Sequence, residues 1–317
     1  MKIELSVIIP TYNRGKIFNQ TLASLCLALK NIESEIIVVN DYKSKELVIE
    51  NQTKEVIVIN NPLQGAASAR NLGFSISKGD LILFLDDDML ISKSVIINLM
   101  DFTKSNHNKI LSPNWIYPIS ISNQLNETKF GRFLVSIEYN SLKGWIKSNE
   151  NWDGEEYIKT KGIASYCLMI KRQNFIELGG YNQTFLFAGA EDYDLTKRLE
   201  KMGIEFYIAP KQMIFHNEND RIELRDWLKR KRKNGYTLRN AVEIGYSEMA
   251  IEYSKLKRIA LTLLWKFKTI LFIIAEGIPN KKNFDPLYYF LVKLLTSIYI
   301  YAGYQVDYKG ELNRITK

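Results

Sequence analysis

"LILFLDDDML", residues 81–90, drives five strand-forming apolar residues into three consecutive carboxylates, Asp86, Asp87 and Asp88, before turning apolar again. An unbroken apolar run of this length reads as a strand buried on both faces, the kind that parallel sheets use. Like charges at its mouth repel, and the repulsion persists only where solvent or a cation relieves it. A hard divalent ion does so naturally, because Mg2+ or Mn2+ takes one or two protein carboxylates and completes its shell with phosphate oxygens. If the aspartates continue the extended segment, Asp86 and Asp88 point one way and Asp87 the other. A solvated turn after a strand is the plainer reading of an acidic triplet on its own.

Working outward, similar runs recur at LSVII (5–9), EIIVV (35–39) and EVIVI (55–59), with helix-like stretches near 16–30 and 66–77. This rhythm predicts βαβ units and an α/β fold with a mainly parallel sheet flanked by helices. In such sheets ligands bind beyond the carboxyl ends of the strands. Polar residues fall at those ends: Pro10, Thr11, Tyr12 and Asn13 after the first run, Asn40 and Asp41 after the second, and the aspartates after the fourth. They are expected to meet in one cleft. Residues 105–160 are poorer in pattern and read as irregular connections over a site. A strand at 163–170, a turn at Gly179 and Gly180, a helix at 191–202 and a strand at 204–208 follow. Beyond about 220 the strand signals give way to three helical segments, near 223–246, 250–276 and 286–304. The expected division is a sheet-containing domain at 1–220 and a basic, amphipathic helical region at 221–317.

With 317 residues, 46% hydrophobic and 25% charged, the chain can bury one large or two modest cores. Cys26 and Cys167 lie in apolar surroundings without metal-ligand spacing and read as small core hydrophobes in a reducing compartment. The opening MKIELSVIIPTYNR reads as a first strand rather than a secretory signal. The net charge of +8 is unevenly placed: residues 1–220 carry 24 Lys and Arg against 26 Asp and Glu, whereas 221–317 carry 19 against 9. The basic half is expected to face something anionic.

SVIIPTYNR, IIVVND and NPLQGAASARNLGFSISKGDLILFLDDDM, followed by GGYNQTF, AEDYDLTKRL and His216, resemble family 2 glycosyltransferases, which adopt the GT-A fold. The resemblance spans roughly residues 3–220. It implies that Tyr12 lies against a nucleotide base, that Asp41 bonds the base edge, and that Arg70 reaches the phosphate or ribose side. Asp86 would contact the ribose or the metal shell, Asp88 would coordinate Mn2+ or Mg2+, and His216 would help hold the metal or diphosphate. Pro10, Thr11, Arg14 and Asp87 complete the expected nucleotide-sugar pocket. Asp192 matches the catalytic base, with Glu191 beside it, although capping of a helix N-terminus also accounts for an acidic pair there. His216 after the apolar run MIF also reads as a packed core histidine. Where the family commonly has two aspartates and Gly-Ser, this chain has Asn40, Asp41, Tyr42 and Lys43; UDP is the favoured nucleotide, with GDP or dTDP as alternatives.

The implied reaction is an inverting, in-line displacement at the anomeric carbon of a nucleotide-sugar donor, with a glycan or lipid-linked acceptor in surface polysaccharide synthesis. A nucleotidyltransferase, or a catalytically silent nucleotide-binding membrane scaffold, are the alternatives; PTYNR is not the Gly-rich, Arg-containing loop of the former. In the tail, KRKRK at 229–233 lacks any accompanying nucleic-acid motif, so no nucleic acid is expected as a partner. Lys255, Arg258, Thr262, Lys266, Thr269 and Glu276 would share one face of a single helix. The apolar stretch 259–275, 17 residues with two lysines, is short for a span, which needs about 20 mostly apolar residues. It suits an anionic membrane interface, giving a peripheral protein on the cytoplasmic face; packing on the catalytic domain or a homodimer through these helices is the alternative.

Overall fold

The computed structural model describes residues 2–42, 47–50, 53–145 and 152–305. Lys43, part of the departure from the family pattern, lies outside the described residues. In chain order the elements begin β1 (Leu5–Thr11), α1 (Lys16–Ala28), β2 (Ser34–Asn40), β3 (Val56–Asn60), α2 (Ala66–Ile76) and β4 (Leu81–Leu85). Then come β5 (Met89–Leu90), α3 (Lys93–Ser105), β6 (Lys109–Ile116), α4 (Ile119–Glu127), α5 (Lys129–Ser136), β7 (Ile158–Thr160), β8 (Cys167–Lys171), α6 (Arg172–Leu178), α7 (Ala190–Lys201) and β9 (Glu205–His216). The chain continues with α8 (Leu224–Glu243), α9 (Lys255–Lys266), α10 (Lys268–Gly277) and α11 (Asp285–Gln305). Two compact units result: Met1–Ile119 with Glu138–Leu186 and Glu191–Glu218, and Ser120–Ile137 with Phe187–Ala190 and Asn219–Lys317.

The first unit carries the mainly parallel sheet, in the order β3-β2-β1-β4-β8. β1, β2, β3 and β4 pair in parallel, and β8 closes the edge antiparallel to β4. Every residue of β4 is buried, as an apolar run without alternation requires when both faces are covered. Ile8, Val39, Phe84 and Leu168 pack with Phe175, Tyr181, Leu195 and Leu199 into one core. Cys26 and Cys167 are buried and free.

A second sheet, β5-β9-β6 with β7 also on β9, lies in the same unit. Its central strand is longer than the sequence pattern suggests, running past the expected end at 208 to His216. The β6/β9 register jumps between Pro113 and Asn114, opposite Ala209 and Met213, so the strand resumes after an interruption that local alternation cannot bridge. Its last residue, His216, pairs with Met89 of β5.

Two sequence expectations need correction. Residues 105–160 are not only irregular connections, since they contain β6, α4, α5 and β7. Ser112, Pro113 and Asn114 break the apolar pattern of β6, and pairing with β9 supplies the order that the local pattern lacks. Nor is 250–276 one helix. α9 ends at Lys266; the next residue, Phe267, has a φ of -97° and ψ of 7° that leave the helical region, and α10 starts afresh. The Phe267 amide donates to Leu264 O at 3.0 Å, an i to i-3 bond that tightens the last turn. Thr269 and Glu276 therefore lie on a different helix from Lys255, Arg258, Thr262 and Lys266.

Within the second unit, α8 and α11 approach so closely that glycines are needed at the crossing. A Cβ on Gly235 would stand 2.8 Å from Tyr304 N and 3.0 Å from Gly303 Cα, and one on Gly303 would run into the Arg232 carbonyl. Arg132 of α5 grips Asp285 of α11 through two bonds of 2.7 Å. Leu261, Ile298 and Tyr301 join α9 to α11, with Leu264, Trp265 and Leu271 packed around them. Among the described residues, no helix is long and apolar enough to cross a membrane.

Candidate functional site

The aspartates do not continue the extended strand. Residues 87 and 88 form a turn in which the Met89 amide donates to Asp86 O at 3.3 Å. The alternation expected from the sequence is lost, and each carboxylate meets a different environment. Asp87 accepts from Thr11 Oγ1 at 2.7 Å and from the Tyr12 amide at 3.4 Å, and it pairs with Arg14 Nε at 3.3 Å. Asp88 pairs with the other end of the same guanidinium, at Arg14 Nη2. Asp86 is the least buried of the three and pairs with Arg70 Nη2 at 2.8 Å. The chain thus relieves the triplet's repulsion with two internal guanidinium groups, one of them shared by neighbouring carboxylates.

Arg70 also joins this cluster to the acidic pair at the start of α7. Its Nη1 stands 3.9 Å from Glu191 Oε1, and its guanidinium lies 5.2 Å from the centre of the Tyr181 ring. Burial alone would lower the Arg70 pKa, but Asp86, Asp192 and Glu191, with Tyr181, hold it above its ordinary value. The side chain is only 4% exposed, and its Nε and Nη1 have no hydrogen-bond partner within the protein. A buried guanidinium with unused donors is a suitable receptor for an added anion such as phosphate.

Asp192 is partly buried, its Oδ2 accepting from the Ser165 amide at 3.2 Å and its Oδ1 from the Ser165 hydroxyl. That hydroxyl in turn accepts from Tyr181 OH at 2.8 Å. Burial pushes the Asp192 carboxyl above the usual carboxylate range, while Arg70 and the two Ser165 bonds pull the other way. The balance suits a proton acceptor whose affinity lies closer to working pH than that of an exposed aspartate. Glu191 is buried beside it, facing Arg70.

Backbone pairing of Met89 with His216 brings the end of β9 against the turn that carries Asp88. His216 Nε2 lies 3.4 Å from Asp88 Oδ2 and 3.6 Å from Glu218 Oε2. Its ring stacks on Tyr117 at 5.9 Å and meets the edge of Trp115 at 5.0 Å. Tyr117 OH donates to Glu218 Oε1 at 2.8 Å, fixing that carboxylate. Burial would lower the His216 pKa, but Asp88 and Glu218 override it and raise the value. One ligand atom each from Asp88, His216 and Glu218 lie within 4.8 Å of one another. Two carboxylates and an imidazole suit Mn2+ and related divalent ions, and the donor atoms already converge, so the residues fit a metal of that class. Asp86, expected among the ligands, is not part of this group.

The end of the site near Tyr12 is more open. Tyr12 is 49% exposed and meets Tyr42 edge to face at 5.0 Å. A cavity of about 320 Å3 opens between Asn13, Arg14, Lys16, Asn40, Tyr42 and Val48. Asp41 accepts from the Gly65 amide through both oxygens, at 3.2 and 3.0 Å, and from Asn61 Nδ2 at 2.7 Å. Gly65 adopts a φ of 110°, where a Cβ is strained and would also meet Leu186 O at 2.9 Å. Asp41 therefore secures the loop entering α2, and with it the helix that carries Arg70. Pro10 sits within β1, opposite Val39.

Sequence reasoning missed Glu218, Tyr117, Ser165 and Tyr181. A signal existed for Glu218, because it stands two residues after His216, the spacing that aligns side chains on extended chain. Ser165 carried none, since its contact with Asp192 spans 27 positions.

The profile of glycosyl transferase family 2 matches residues 6–179, and that of the N-terminal domain of galactosyltransferase matches residues 152–219. An uncharacterized glycosyltransferase of Haemophilus influenzae is 30% identical over 198 residues, 62% of this chain and 61% of its own length. The chondroitin synthase of Escherichia coli is 25% identical over 238 residues, 68% of this chain and 34% of that protein. GalNAc-T7, solved with UDP, GalNAc and Mn2+, aligns over 67% of this chain and 43% of its own, with a TM-score of 0.49 and 16% identity. The chain spans less than two thirds of the length of these relatives.

Proposed function

Because the chain belongs to glycosyl transferase family 2, we propose that it transfers a sugar from a nucleotide diphosphate, UDP being favoured, to a hydroxyl of a glycan or lipid-linked acceptor, with inversion at the anomeric carbon. The observation that carries this reading is Arg70, which binds Asp86 at 2.8 Å and approaches Glu191 at 3.9 Å. One buried guanidinium thereby ties the carboxylates at the mouth of β4 to those that open α7. Displacement needs both at one place, a diphosphate held on one side of the anomeric carbon and a base on the other.

Asp192 takes the acceptor's proton as the hydroxyl attacks, and Ser165 and Tyr181 hold its carboxylate in orientation. Arg70 presents its unused donors to the phosphate side of the donor. Tyr12 and Tyr42 form a wall for the base, while Arg14 keeps Asp87 and Asp88 in place. Asp88, His216 and Glu218 are the residues that would hold a divalent ion, whose positive charge stabilises the departing diphosphate when it is bound. No covalent intermediate on the protein is required. A relative named for chondroitin synthesis supports a glycan as the acceptor.

A panel of UDP-, GDP- and dTDP-sugars, with Mn2+, Mg2+ or EDTA, tests the proposal. One nucleotide class should raise the melting temperature in an ion-dependent way, and the product should carry the inverted anomer by NMR. Absence of stabilisation across the panel, or retention of configuration, would overturn it.

A further inference from the structure

A helix on a protein surface normally has one apolar side, turned inward. α9 and α10 have two. Their inner sides are accounted for, since Leu261, Leu264, Trp265 and Leu271 pack with residues of α11. On the outer side, Leu256, Ile259 and Leu263 recur at helical spacing along α9, with Leu256 82% and Ile259 67% exposed. Ile270, Ile273 and Ile274 repeat the pattern on α10, with Ile273 62% exposed. Large aliphatic side chains exposed at helical spacing on each of two successive helices differ from the singly scattered apolar residues of an ordinary surface.

The charges beside these side chains indicate what they meet. From residue 255 to 277, the span of the two helices, the chain carries Lys255, Lys257, Arg258, Lys266 and Lys268 against one acidic residue, Glu276, at the far end of α10. At 3.6 residues per turn, Lys255 and Lys257 stand about 100° to either side of Leu256, where long stems can follow apolar surface and carry their ammonium groups outward. Pairing this face with a second copy of itself by a two-fold axis would set cations against cations. Neither helix is long enough to span a bilayer. Apolar residues on one side, cations along its margins and insufficient length together describe a helix lying in a lipid interface.

We propose that the outer faces of α9 and α10 form a docking surface for an anionic phospholipid membrane. The aliphatic side chains enter the boundary between headgroups and acyl chains, and the lysines meet lipid phosphates. Docking uses the helical unit and needs no nucleotide sugar, so it stands or falls separately from the transfer reaction.

Flotation of the full chain with phosphatidylcholine vesicles, with and without about a third of phosphatidylglycerol, tests this. Wild-type protein should float with the anionic vesicles and lose that binding at high salt, with at least ~10-fold weaker partitioning to neutral vesicles. The double variant Leu263→Glu, Ile270→Glu should lose at least ~10-fold even at low salt, and Lys255→Gln, Lys257→Gln, Lys266→Gln ~10- to 100-fold. Unchanged circular dichroism melting in these exposed-site variants separates lost docking from lost folding, and the wild-type salt dependence provides a reading that needs no variant. Equal binding to neutral and anionic vesicles would overturn the proposal. So would failure to float together with a dimer, seen by sedimentation, that Leu263→Glu dissociates.

Discussion

Replacing Asp192 by Asn removes the proposed proton acceptor while keeping the side chain's shape, and the surrounding contacts determine what else changes. The carboxylate accepts from Ser165 N at 3.2 Å and from the Ser165 hydroxyl, which itself holds the proton of Tyr181 OH at 2.8 Å. An amide retains one acceptor oxygen, which can keep the backbone bond. Its NH2 group then faces a hydroxyl that already accepts one proton and must redirect its own. The structural cost is one impaired hydrogen bond, about 1 kcal/mol, too little to unfold a domain. Loss of a positioned general base costs roughly 10²- to 10⁴-fold in turnover, or about 2.7–5.4 kcal/mol at 1.36 kcal/mol per decade. Steady-state kinetics with thermal melts separate the two effects: kcat should fall while the donor KM and the melting temperature stay near wild type. The pH profile adds a second reading. A base works deprotonated, and burial pushes the Asp192 carboxyl up, so the wild-type rate should climb through an acidic limb above the usual carboxylate range. That limb should vanish in the variant. Turnover within a few-fold of wild type, or a larger loss in Glu191→Gln, would refute the assignment.

Other perturbations have equally definite outcomes. Glu218→Gln should weaken Mn2+ binding measured by calorimetry by about 10- to 100-fold, because Tyr117 holds this carboxylate toward His216; unchanged affinity would remove Glu218 from the ion site. Arg70→Met should abolish donor binding and leave Asp86, Glu191 and Asp192 without their cation, costing about 3–5 kcal/mol by denaturant melts and moving the acidic limb of any residual activity further up. Gly303→Ala drives a Cβ into the Arg232 carbonyl and should cost about 1–3 kcal/mol, visible as a lower melting temperature. Asp285→Asn breaks the paired bonds from Arg132 and should cost about 1–2 kcal/mol near neutral pH after allowance for partial exposure. Arg132 lowers the Asp285 pKa in the folded chain; its contribution is therefore complete above the unfolded value of about 3.9 and disappears as pH falls through the lower folded one. Urea melts at neutral and strongly acidic pH should show the wild-type advantage only at the former.

The sheet was legible because each strand's burial is written in its own residues. LILFL has no polar alternate, so it lies between two covered faces, and the runs of β1 and β2 follow the same rule, whereas β3, at the sheet edge, leaves Ile57 and Val58 exposed. The polar residues after β1, β2 and β4 were expected at one edge for a local reason too, since strand ends in a parallel sheet leave backbone and side chains free to meet a ligand. The helix-like stretches near 66–77, 191–202, 223–246 and 286–304 likewise located α2, α7, α8 and α11 to within a few residues. These features depend on neighbours a few positions apart.

What the tertiary structure alone decided depends on partners far apart in the chain. Arg14 reaches Asp88 across 74 positions and Ser165 reaches Asp192 across 27, and no local periodicity records either pairing. A turn at Asp87 and Asp88 replaced the expected alternation because burying two adjacent carboxylates required them to share the Arg14 guanidinium. The order of β6 came from its pairing with β9, and the register of β9 against β5 brought His216 and Glu218 to Asp88. Sequence by itself determined where apolar surface had to be covered and where charge would gather. Only folding decided which opposite charge answered each carboxylate, because Coulomb attraction and hydrogen bonding select partners by distance in space rather than along the chain.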